Sequence, residues 1–312
     1  MEGSGDPRVP LLDVADGEVT LGNTHIRYCG KSHAGMSPGV PVKENQDAGL
    51  VLTPAGGGHL FVGVFDGHGE NGRKVSQFLI ERVPKHLTNN GDYKKGKFED
   101  AIRSAAEVSN NELRRQGFDL STSGSTGCML LIEEGRMLSG NVGDSRAVRG
   151  GAGVAAESLT EDHKPTLPRE IQRIRAKGGR VAPLRIDGED IGPPRVWRKS
   201  EQTPGLCMSR SFGDEIGRSV GVICEPDTAW YTINHGDFPE GMYVVLASDG
   251  LYEFCENDEV IDIVLKCNND IELACLKLIE RARDLWVENE GEVIDDTTVF
   301  VLHIAPAAAA GA

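Results

Sequence analysis

Apolar residues recur along the chain with two different spacings, which predict a mixture of helices and strands. Helical spacing predicts helices over about residues 72–86, 98–116, 166–177, 257–267 and 270–289. Apolar runs bounded by Gly, Asp or Pro predict strands over about residues 48–53, 60–65, 126–133, 136–142, 145–149, 229–233, 242–248 and 297–303, and residues 27–39 are predicted to be a strand that breaks into a loop. Because most of these strands follow one another without βαβ alternation, we expect an α+β fold with antiparallel sheets.

Both ends of the chain and one internal stretch lack such periodicity. Residues 1–18 are rich in Gly, Pro and Asp, and residues 305–312 form a tail of small residues, so we expect both segments to be flexible. Residues 181–205 contain several prolines and no periodic pattern, which predicts a large surface loop. The intervening residues 19–304 contain no long linker, and we therefore expect them to form one domain.

Composition narrows the classes of partner. The 312 residues carry a formal net charge of −15 without a basic stripe, which disfavours nucleic acid as a ligand. No apolar run approaches the length of a membrane span, so we expect no membrane association. The seven cysteines are scattered and never spaced as CxxC, which indicates reduced thiols in a cytoplasmic or nuclear protein. Nothing resembles a heptad seam or a large apolar face, and we expect a monomer.

Aspartates lie at the ends of three apolar strands, and these are the candidate metal ligands. The run 60–65 ends at Asp66, where Gly67 lets the backbone approach a cation and present its carbonyl oxygen. Another apolar run ends at Asp249 in the same way, and the two adjacent acids Asp295 and Asp296 precede the last strand, so either could be the third ligand. Three such carboxylates predict a site for a hard cation such as Mg²⁺ or Mn²⁺. For each acid the alternative is a turn or a helix N-cap, which is the better interpretation of Asp295 or Asp296 considered alone.

Eight short motifs occur in one order between about residues 25 and 303, and together they resemble those of the metal-dependent protein phosphatases of type 2C. They lie at residues 44–47 (ENQD), 64–69 (VFDGHG), 124–126 (GST), 141–147 (NVGDSRA), 159–165 (LTEDHKP), 209–214 (SRSFGD), 247–250 (ASDG) and 295–298 (DDTT). The segments around residues 195–197 and 204–210 are most similar to the plant and protist branch. Each motif is weak by itself, and their common order makes the resemblance specific.

The resemblance implies a fold and an activity. Members have a four-layer αββα sandwich, in which two central antiparallel sheets are flanked by helices and a binuclear metal site lies at one end. They hydrolyse phosphoserine and phosphothreonine in proteins by direct attack of a hydroxide that bridges two Mg²⁺ or Mn²⁺ ions. Residues 19–304 would then be the catalytic domain.

Carried over by position, the resemblance also assigns roles to residues. Asp66 would bridge the two ions and Asp249 and Asp295 would complete the direct ligands, with the Gly67 carbonyl on one ion. Water-mediated ligands would be Asp47 and Gln46. His68 would protonate the departing serine or threonine oxygen, and the alternative for His68 is a hydrogen bond that orients Asp66.

Three positions depart from the family pattern. Where members commonly carry an arginine that binds the substrate phosphate, this chain has Val42, so Lys43 beside it is the candidate substitute. Glu253 replaces a shorter aspartate that, with Asp144, is implicated in a weak third metal site, so we expect a third ion to bind poorly. Gln46 is neutral where an acid is usual, which lowers the negative charge around the ions.

Two further interpretations concern the surroundings of the site. Arg210 and Asp214 are interpreted as ion-pairing residues beneath it, and residues 181–205 as a flap that meets the substrate. Two other functions remain open from the sequence, namely a catalytically inactive scaffold on the same fold and a metal-dependent phosphodiesterase. The presence of Asp66, Asp249 and Asp295 argues against the first, and the lack of a basic groove argues against the second.

Overall fold

The computed structural model of the chain describes residues 11–40, 43–53 and 58–307. The strands are β1 (Leu12–Leu21), β2 (Thr24–His33), β3 (Ala48–Leu52), β4 (Leu60–Phe65), β5 (Gly67–His68), β6 (Gly124–Ser125), β7 (Gly127–Glu133), β8 (Arg136–Val142), β9 (Arg146–Gly151), β10 (Val154–Ser158), β11 (Gly179–Ile186), β12 (Glu189–Arg198), β13 (Pro204–Leu206), β14 (Phe212–Gly213), β15 (Asp227–Thr232), β16 (Met242–Ala247) and β17 (Thr297–Pro306). The helices are α1 (Gly72–Asn89), α2 (Phe98–Leu113), α3 (Pro168–Ala176), α4 (Glu215–Arg218), α5 (Asp249–Tyr252), α6 (Asn257–Lys266) and α7 (Ile271–Glu290).

Two large antiparallel sheets form the centre of the fold. Their strand orders are β1-β2-β17-β16-β9-β10 and β15-β8-β7-β4-β3. Side chains alternate across each strand, so one face of each sheet can bury apolar residues against the other sheet. Val62 and Val64 of β4 share this inner core with Val244 and Leu246 of β16.

Helices cover the outer faces of both sheets. Phe61 and Phe65, the alternate residues of β4, pack in a second apolar cluster with residues of α1 and α2. Tyr243 and Val245 of β16 do the same with α6 and α7 on the other side. These layers confirm the expected αββα sandwich. No helix within the described ranges is both long and apolar enough to cross a bilayer.

Two small three-stranded sheets lie beside the sandwich. One, in the order β14-β6-β5, pairs His68 with Gly124 and Gly124 with Gly213, and so joins three distant segments. The other contains β11, β12 and β13 and is called the flap sheet below. The loop predicted for residues 181–205 is therefore wrong. Its strands escape recognition in the sequence because most of their residues are partly or fully exposed and a register shift between Ala182 and Leu184 interrupts the alternation.

The two terminal segments predicted to be flexible are too long, because part of each belongs to a strand. Strand β1 begins at Leu12 and pairs along its length with β2, where Val14 and Val19 pack against the inner core. Strand β17 continues to Pro306, which pairs with Thr24. Backbone pairing with a neighbouring strand orders these residues despite their turn-like composition. Residues 1–10 and 308–312 lie outside the described residues.

Candidate metal centre

The three aspartates predicted as metal ligands line one cleft of about 360 Å³. Asp66 follows β4 of the five-stranded sheet, Asp249 follows β16 of the six-stranded sheet, and Asp295 precedes β17. Strand ends of both sheets therefore meet at this cleft. All three carboxylates line the same cleft, and their assignment as metal ligands stays a prediction.

Hydrogen bonds fix the backbone from which these acids project. Asp66 donates its N–H to Thr126 Oγ1 at 3.0 Å, and its carbonyl accepts from Thr126 N at 2.9 Å. Ser248, just before Asp249, donates its hydroxyl to Asp47 Oδ2 at 2.7 Å and accepts from Thr298 N at 3.0 Å. The cleft is thus held by contacts between segments that are far apart in the sequence.

The carboxylates repel one another in this setting. Burial, followed by the negative charges of Asp47, Asp249 and Asp295, raises the pKa of Asp66 well above its ordinary value. Burial and the charges of Asp144 and Asp295 likewise raise the pKa of Asp249. Burial and the charge of Asp296 raise the pKa of Asp47 to about 7. Such a group of buried acids is stabilised by a cation.

The donor set fits hard divalent ions. Asp47 Oδ1, Asp144 Oδ1 and Asp249 Oδ1 are buried and have no hydrogen-bond partner. Within residues 11–40, 43–53 and 58–307, no three acidic, imidazole or thiol side chains are close enough to ligate a single ion as they stand. Mg²⁺ commonly takes only one or two carboxylates and keeps several waters, so a shared cleft with unpaired oxygens is compatible with it.

Gln46 and Gly67 shape the backbone beside Asp66. The Gly67 N–H donates to the Gln46 carbonyl at 3.2 Å, and a Cβ on Gly67 would lie 2.4 Å from the Gly72 carbonyl oxygen. Only glycine fits there. The side-chain amide of Gln46 donates to the Gly69 carbonyl at 2.8 Å. The backbone N–H of Gln46 donates to Asp296 Oδ2 at 2.8 Å. Asp296 is buried and holds this backbone through a hydrogen bond. The sequence alone does not show which of Asp295 and Asp296 has this structural role and which faces the metal site.

Lys43 lies beside these acids and binds two of them. Its ammonium donates to Asp295 Oδ1 at 2.7 Å and is 3.2 Å from Asp296 Oδ1. Burial would lower the pKa of Lys43, but the charges of the two aspartates outweigh it and raise that pKa. Its role as a phosphate ligand stays a prediction, and Val42 lies outside the described residues.

Asp144 and Glu253, the residues implicated in a third ion, contact a lysine that sequence reasoning missed. Lys164 donates to Asp144 Oδ2 at 2.7 Å, and its Nζ lies 3.5 Å from Glu253 Oε2. The side chain of Asp144 is fully buried. The ammonium group thus supplies positive charge where a weak third cation was expected. Lys164 stands in the LTEDHKP motif, but nothing in its spacing indicates this contact.

His68 is held by Asp214, from which it is separated by 146 positions. The distance from Nε2 to Asp214 Oδ2 is 2.6 Å, and the small sheet of β5, β6 and β14 brings the two together. Burial lowers the pKa of His68, but the charge and hydrogen bond of Asp214 outweigh it and raise that pKa. The other ring nitrogen, Nδ1, is buried without a partner. His68 therefore contacts Asp214 and not Asp66, which was its alternative partner.

Arg210 forms a buried ionic network with residues of α3 and β15, as predicted for an ion-pairing residue. Its guanidinium donates to Glu170 Oε1 at 2.9 Å and to Asp227 Oδ1 at 2.7 Å. Glu170 also accepts from Arg173 at 2.5 Å and from the Ser209 hydroxyl at 2.6 Å. Burial would raise the pKa of Glu170, but these hydrogen bonds outweigh it and lower that pKa to about 2.

Known proteins are similar to this chain over most of its length. The family model described as "Protein phosphatase 2C" matches residues 58–291. The Arabidopsis thaliana protein named "Probable protein phosphatase 2C 35" is 32% identical over 333 residues, which cover 96% of this chain and 93% of the relative. A second Arabidopsis thaliana protein, "Probable protein phosphatase 2C 72", is 34% identical over 257 residues, covering 78% and 76%.

Solved structures show the same fold. The serine-threonine phosphatase 2C of Toxoplasma gondii superposes with a TM-score of 0.76 at 20% identity, covering 95% of this chain and 99% of that one. The catalytic domain of the serine threonine protein phosphatase PstP, solved in complex with 2 manganese ions, gives a TM-score of 0.57 at 22% identity, covering 90% and 99%.

Proposed function

Since this chain belongs to the protein phosphatase 2C family and is a metal-dependent serine/threonine protein phosphatase, we propose that its aspartate-lined cleft is the catalytic site. The observation that carries this proposal is the meeting of Asp66, Asp249 and Asp295, from strand ends of both sheets, in one cleft. In that cleft, water attacks phosphorus directly and the serine or threonine oxygen leaves, without a covalent intermediate on the protein.

The cofactors that we propose are two Mg²⁺ or Mn²⁺ ions. Asp66, the Gly67 carbonyl, Asp249 and Asp295 would hold them directly, and Asp47 and Gln46 would do so through water. Bound divalent ions would lower the pKa of water and neutralise phosphoryl oxygens. The two manganese ions reported for PstP support this number. A third ion would bind weakly, because Lys164 already donates to Asp144.

Chelation tests the metal dependence. We expect the protein to hydrolyse p-nitrophenyl phosphate and a phosphothreonine peptide with Mn²⁺ or Mg²⁺, and to lose both activities in EDTA. Recovery after excess Mn²⁺ is the control for irreversible damage. Activity that persists in EDTA contradicts the metal proposal. Absence of activity with both Mn²⁺ and Mg²⁺ favours the scaffold. Faster hydrolysis of bis-p-nitrophenyl phosphate than of the monoester favours the phosphodiesterase.

His68 acts as the general acid in this proposal. Its Nε2 is fixed by Asp214, and its unpaired Nδ1 belongs to a side chain that lines the cleft. A proton supplied there would go to the leaving alkoxide, which is a poor leaving group without it. Asp214 is a positioning residue, since it contacts the imidazole and orients it.

Leaving-group dependence tests this role. His68→Ala is expected to lower kcat about 100-fold on a phosphothreonine peptide, and Asp214→Asn about tenfold. Both should change kcat on p-nitrophenyl phosphate by less than about threefold, because nitrophenolate leaves without a proton. His86→Ala, at a histidine of α1 that pairs with Glu112, is the matched control. Equal losses on both substrates would show that His68 supports the site in another way.

We propose a cytoplasmic or nuclear setting, in which the enzyme acts on phosphoproteins of signalling systems as a monomer. The seven cysteines are free thiols in the structure, and six of them are buried. Free thiols in this number are typical of a reducing compartment.

A further inference from the structure

One wall of the metal cleft belongs to the flap sheet. Arg195 of β12 and residues 204–208 line the cleft together with Asp66, Asp249 and Asp295. Among the described residues that line it, Arg195 is the one lysine or arginine. A phosphomonoester carries about −1.5 to −2 charges near neutral pH and would enter a cleft that is otherwise acidic. A basic side chain on its wall therefore bears directly on substrate binding.

The two lysines nearest the ligands are already engaged. Lys43 binds Asp295 and Asp296, at 2.7 and 3.2 Å. Lys164 binds Asp144 at 2.7 Å. Neither lysine lines the cleft. Their positive charges are already paired with carboxylates of the protein.

The guanidinium of Arg195 is less engaged. Its Nη1 donates to the Gly205 carbonyl at 3.0 Å. No carboxylate in the described ranges of the chain lies within ion-pair distance of it, whereas Arg198 of the same strand is 3.2 Å from Glu201. Most of the N–H donors of Arg195 thus remain for a ligand, in the planar arrangement that suits phosphate oxygens.

The surrounding flap sheet fixes Arg195 in place. Its strand neighbour in β11 is Ala182, whose carbonyl accepts from Trp197 Nε1 at 2.8 Å. Trp197 is buried, and its ring lies so close to Gly205 that an added Cβ there would be 2.9 Å away. The carbonyl that accepts from Arg195 thus belongs to a residue packed closely against a buried ring, and a guanidinium held in this way loses less entropy when it binds a ligand.

Arg195 and the ligand carboxylates also act on a common neighbour. Burial raises the pKa of the Cys207 thiol, the charge of Arg195 lowers it, and the charges of Asp144 and Asp249 raise it. Cys207, Arg195 and Asp249 all line this cleft. A phosphoryl group held at the aspartates would occupy the same cleft of about 360 Å³ whose wall carries Arg195.

We propose that Arg195 binds the phosphoryl group of the substrate and is the phosphate-binding cation that the flap sheet contributes to this enzyme. The inference rests on the proposed function, because it places the phosphoryl group at the aspartate cleft. It assigns to the flap a contact with the group that reacts, in addition to any contact with the surrounding peptide.

Kinetics of Arg195→Ala and Arg195→Lys with Mn²⁺ test the proposal, using a phosphothreonine peptide without acidic neighbours and inorganic phosphate as inhibitor. We expect Arg195→Ala to raise KM for the peptide and the inhibition constant of phosphate together, by roughly 10- to 100-fold. The change in kcat should stay within about threefold if the contact forms equally in the ground and transition states. Arg195→Lys should recover part of both losses. The lysine keeps the positive charge but lacks the planar set of donors of the guanidinium.

Arg198→Ala is the matched control, since it removes an arginine of the same strand that pairs with Glu201 and does not line the cleft. It should leave both constants within about twofold of the wild type. Thermal unfolding of all variants separates loss of binding from loss of structure.

Several outcomes would overturn the inference. The inference is wrong if the inhibition constant for phosphate is the same in Arg195→Ala as in the wild type. A rise in KM confined to peptides with acidic neighbours, again with unchanged phosphate inhibition, would instead assign Arg195 to a substrate carboxylate. Calorimetric titration of inorganic phosphate into the Mn²⁺-loaded wild type and variant measures the contact without turnover. An inactive wild type that still binds phosphate through Arg195 would contradict the proposed function alone.

Discussion

Asp66→Asn is expected to abolish phosphatase activity and, in EDTA, to make the protein more stable than the wild type. The carboxylate is the shared ligand in the proposed site, and its loss removes several kcal/mol of transition-state stabilisation, so kcat should fall about 1,000-fold or more. Without ions the same carboxylate is buried beside Asp47, Asp249 and Asp295, which raise its pKa. A neutral amide of nearly the same shape relieves that repulsion.

The pH dependence of stability provides a second measurement. Acids whose pKa is raised by folding stabilise the native state when protonated, and this contribution is lost as pH rises from their ordinary pKa towards the raised one. The pKa of Asp47 is about 7 in the folded protein and that of Asp66 is also raised. The Tm of the wild type in EDTA should therefore carry a component that falls between about pH 4 and 7. Asp66→Asn should weaken this component.

Exposed Asp284 of α7 offers the matched control, because Asp284→Asn removes a charge at the surface and should leave Tm and kcat nearly unchanged. A lower Tm for Asp66→Asn than for the wild type in EDTA would show that the acids are not in mutual repulsion. Retained activity would remove Asp66 from the ligands.

Glu170→Gln is expected to destabilise the protein by about 3–5 kcal/mol, since it removes the fully buried carboxylate that pairs with the guanidinium of Arg210 and leaves only the half-exposed Asp227. Arg173 and the Ser209 hydroxyl lose charge-assisted hydrogen bonds in the same step. Urea unfolding at pH 7 measures the difference. Glu280→Gln, at a surface pair with Lys277, is the control and should change stability by less than about 0.5 kcal/mol.

The sign of the pH effect follows from the lowered pKa of Glu170. Its ionised form stabilises the native state fully above the ordinary pKa of about 4.5, and this contribution is lost as pH falls through about 2. The difference between Glu170→Gln and the wild type should hence be constant from about pH 5 to 8 and shrink in more acidic solution. A difference that grows on acidification would contradict the ionic network.

The sequence predicts most strands of the two central sheets, but it misses β1 and β10 of the six-stranded sheet. Strands β4 and β16 are continuous apolar runs because both faces are buried, and each is followed closely by an Asp-Gly pair. That coincidence identifies Asp66 and Asp249 as candidate ligands from the order of residues alone. Asp295 needs the family resemblance, since two adjacent acids leave the choice open. The folded chain explains the ambiguity, because Asp296 accepts hydrogen bonds from the backbone of Gly35 and Gln46.

Other features could not be predicted, because they depend on contacts between remote segments. Asp214 meets His68 only because β5, β6 and β14 form a small sheet. Lys164 meets Asp144 across a loop, and Glu170 meets Arg210 from a different element. The exposed strands of the flap lack the alternation by which buried strands are recognised. Long-range pairing, and not local propensity, decides these cases.

The ligands of the site come from both layers of the sandwich, since Asp66 extends from one sheet and Asp249 and Asp295 from the other. Divalent ions held by these residues would connect the two sheets at the cleft where their strand ends meet. Removal of divalent ions would consequently weaken the connection between the two sheets. The stability of the enzyme against unfolding and its catalytic turnover should therefore both decrease when divalent ions are scarce and both increase when they are abundant.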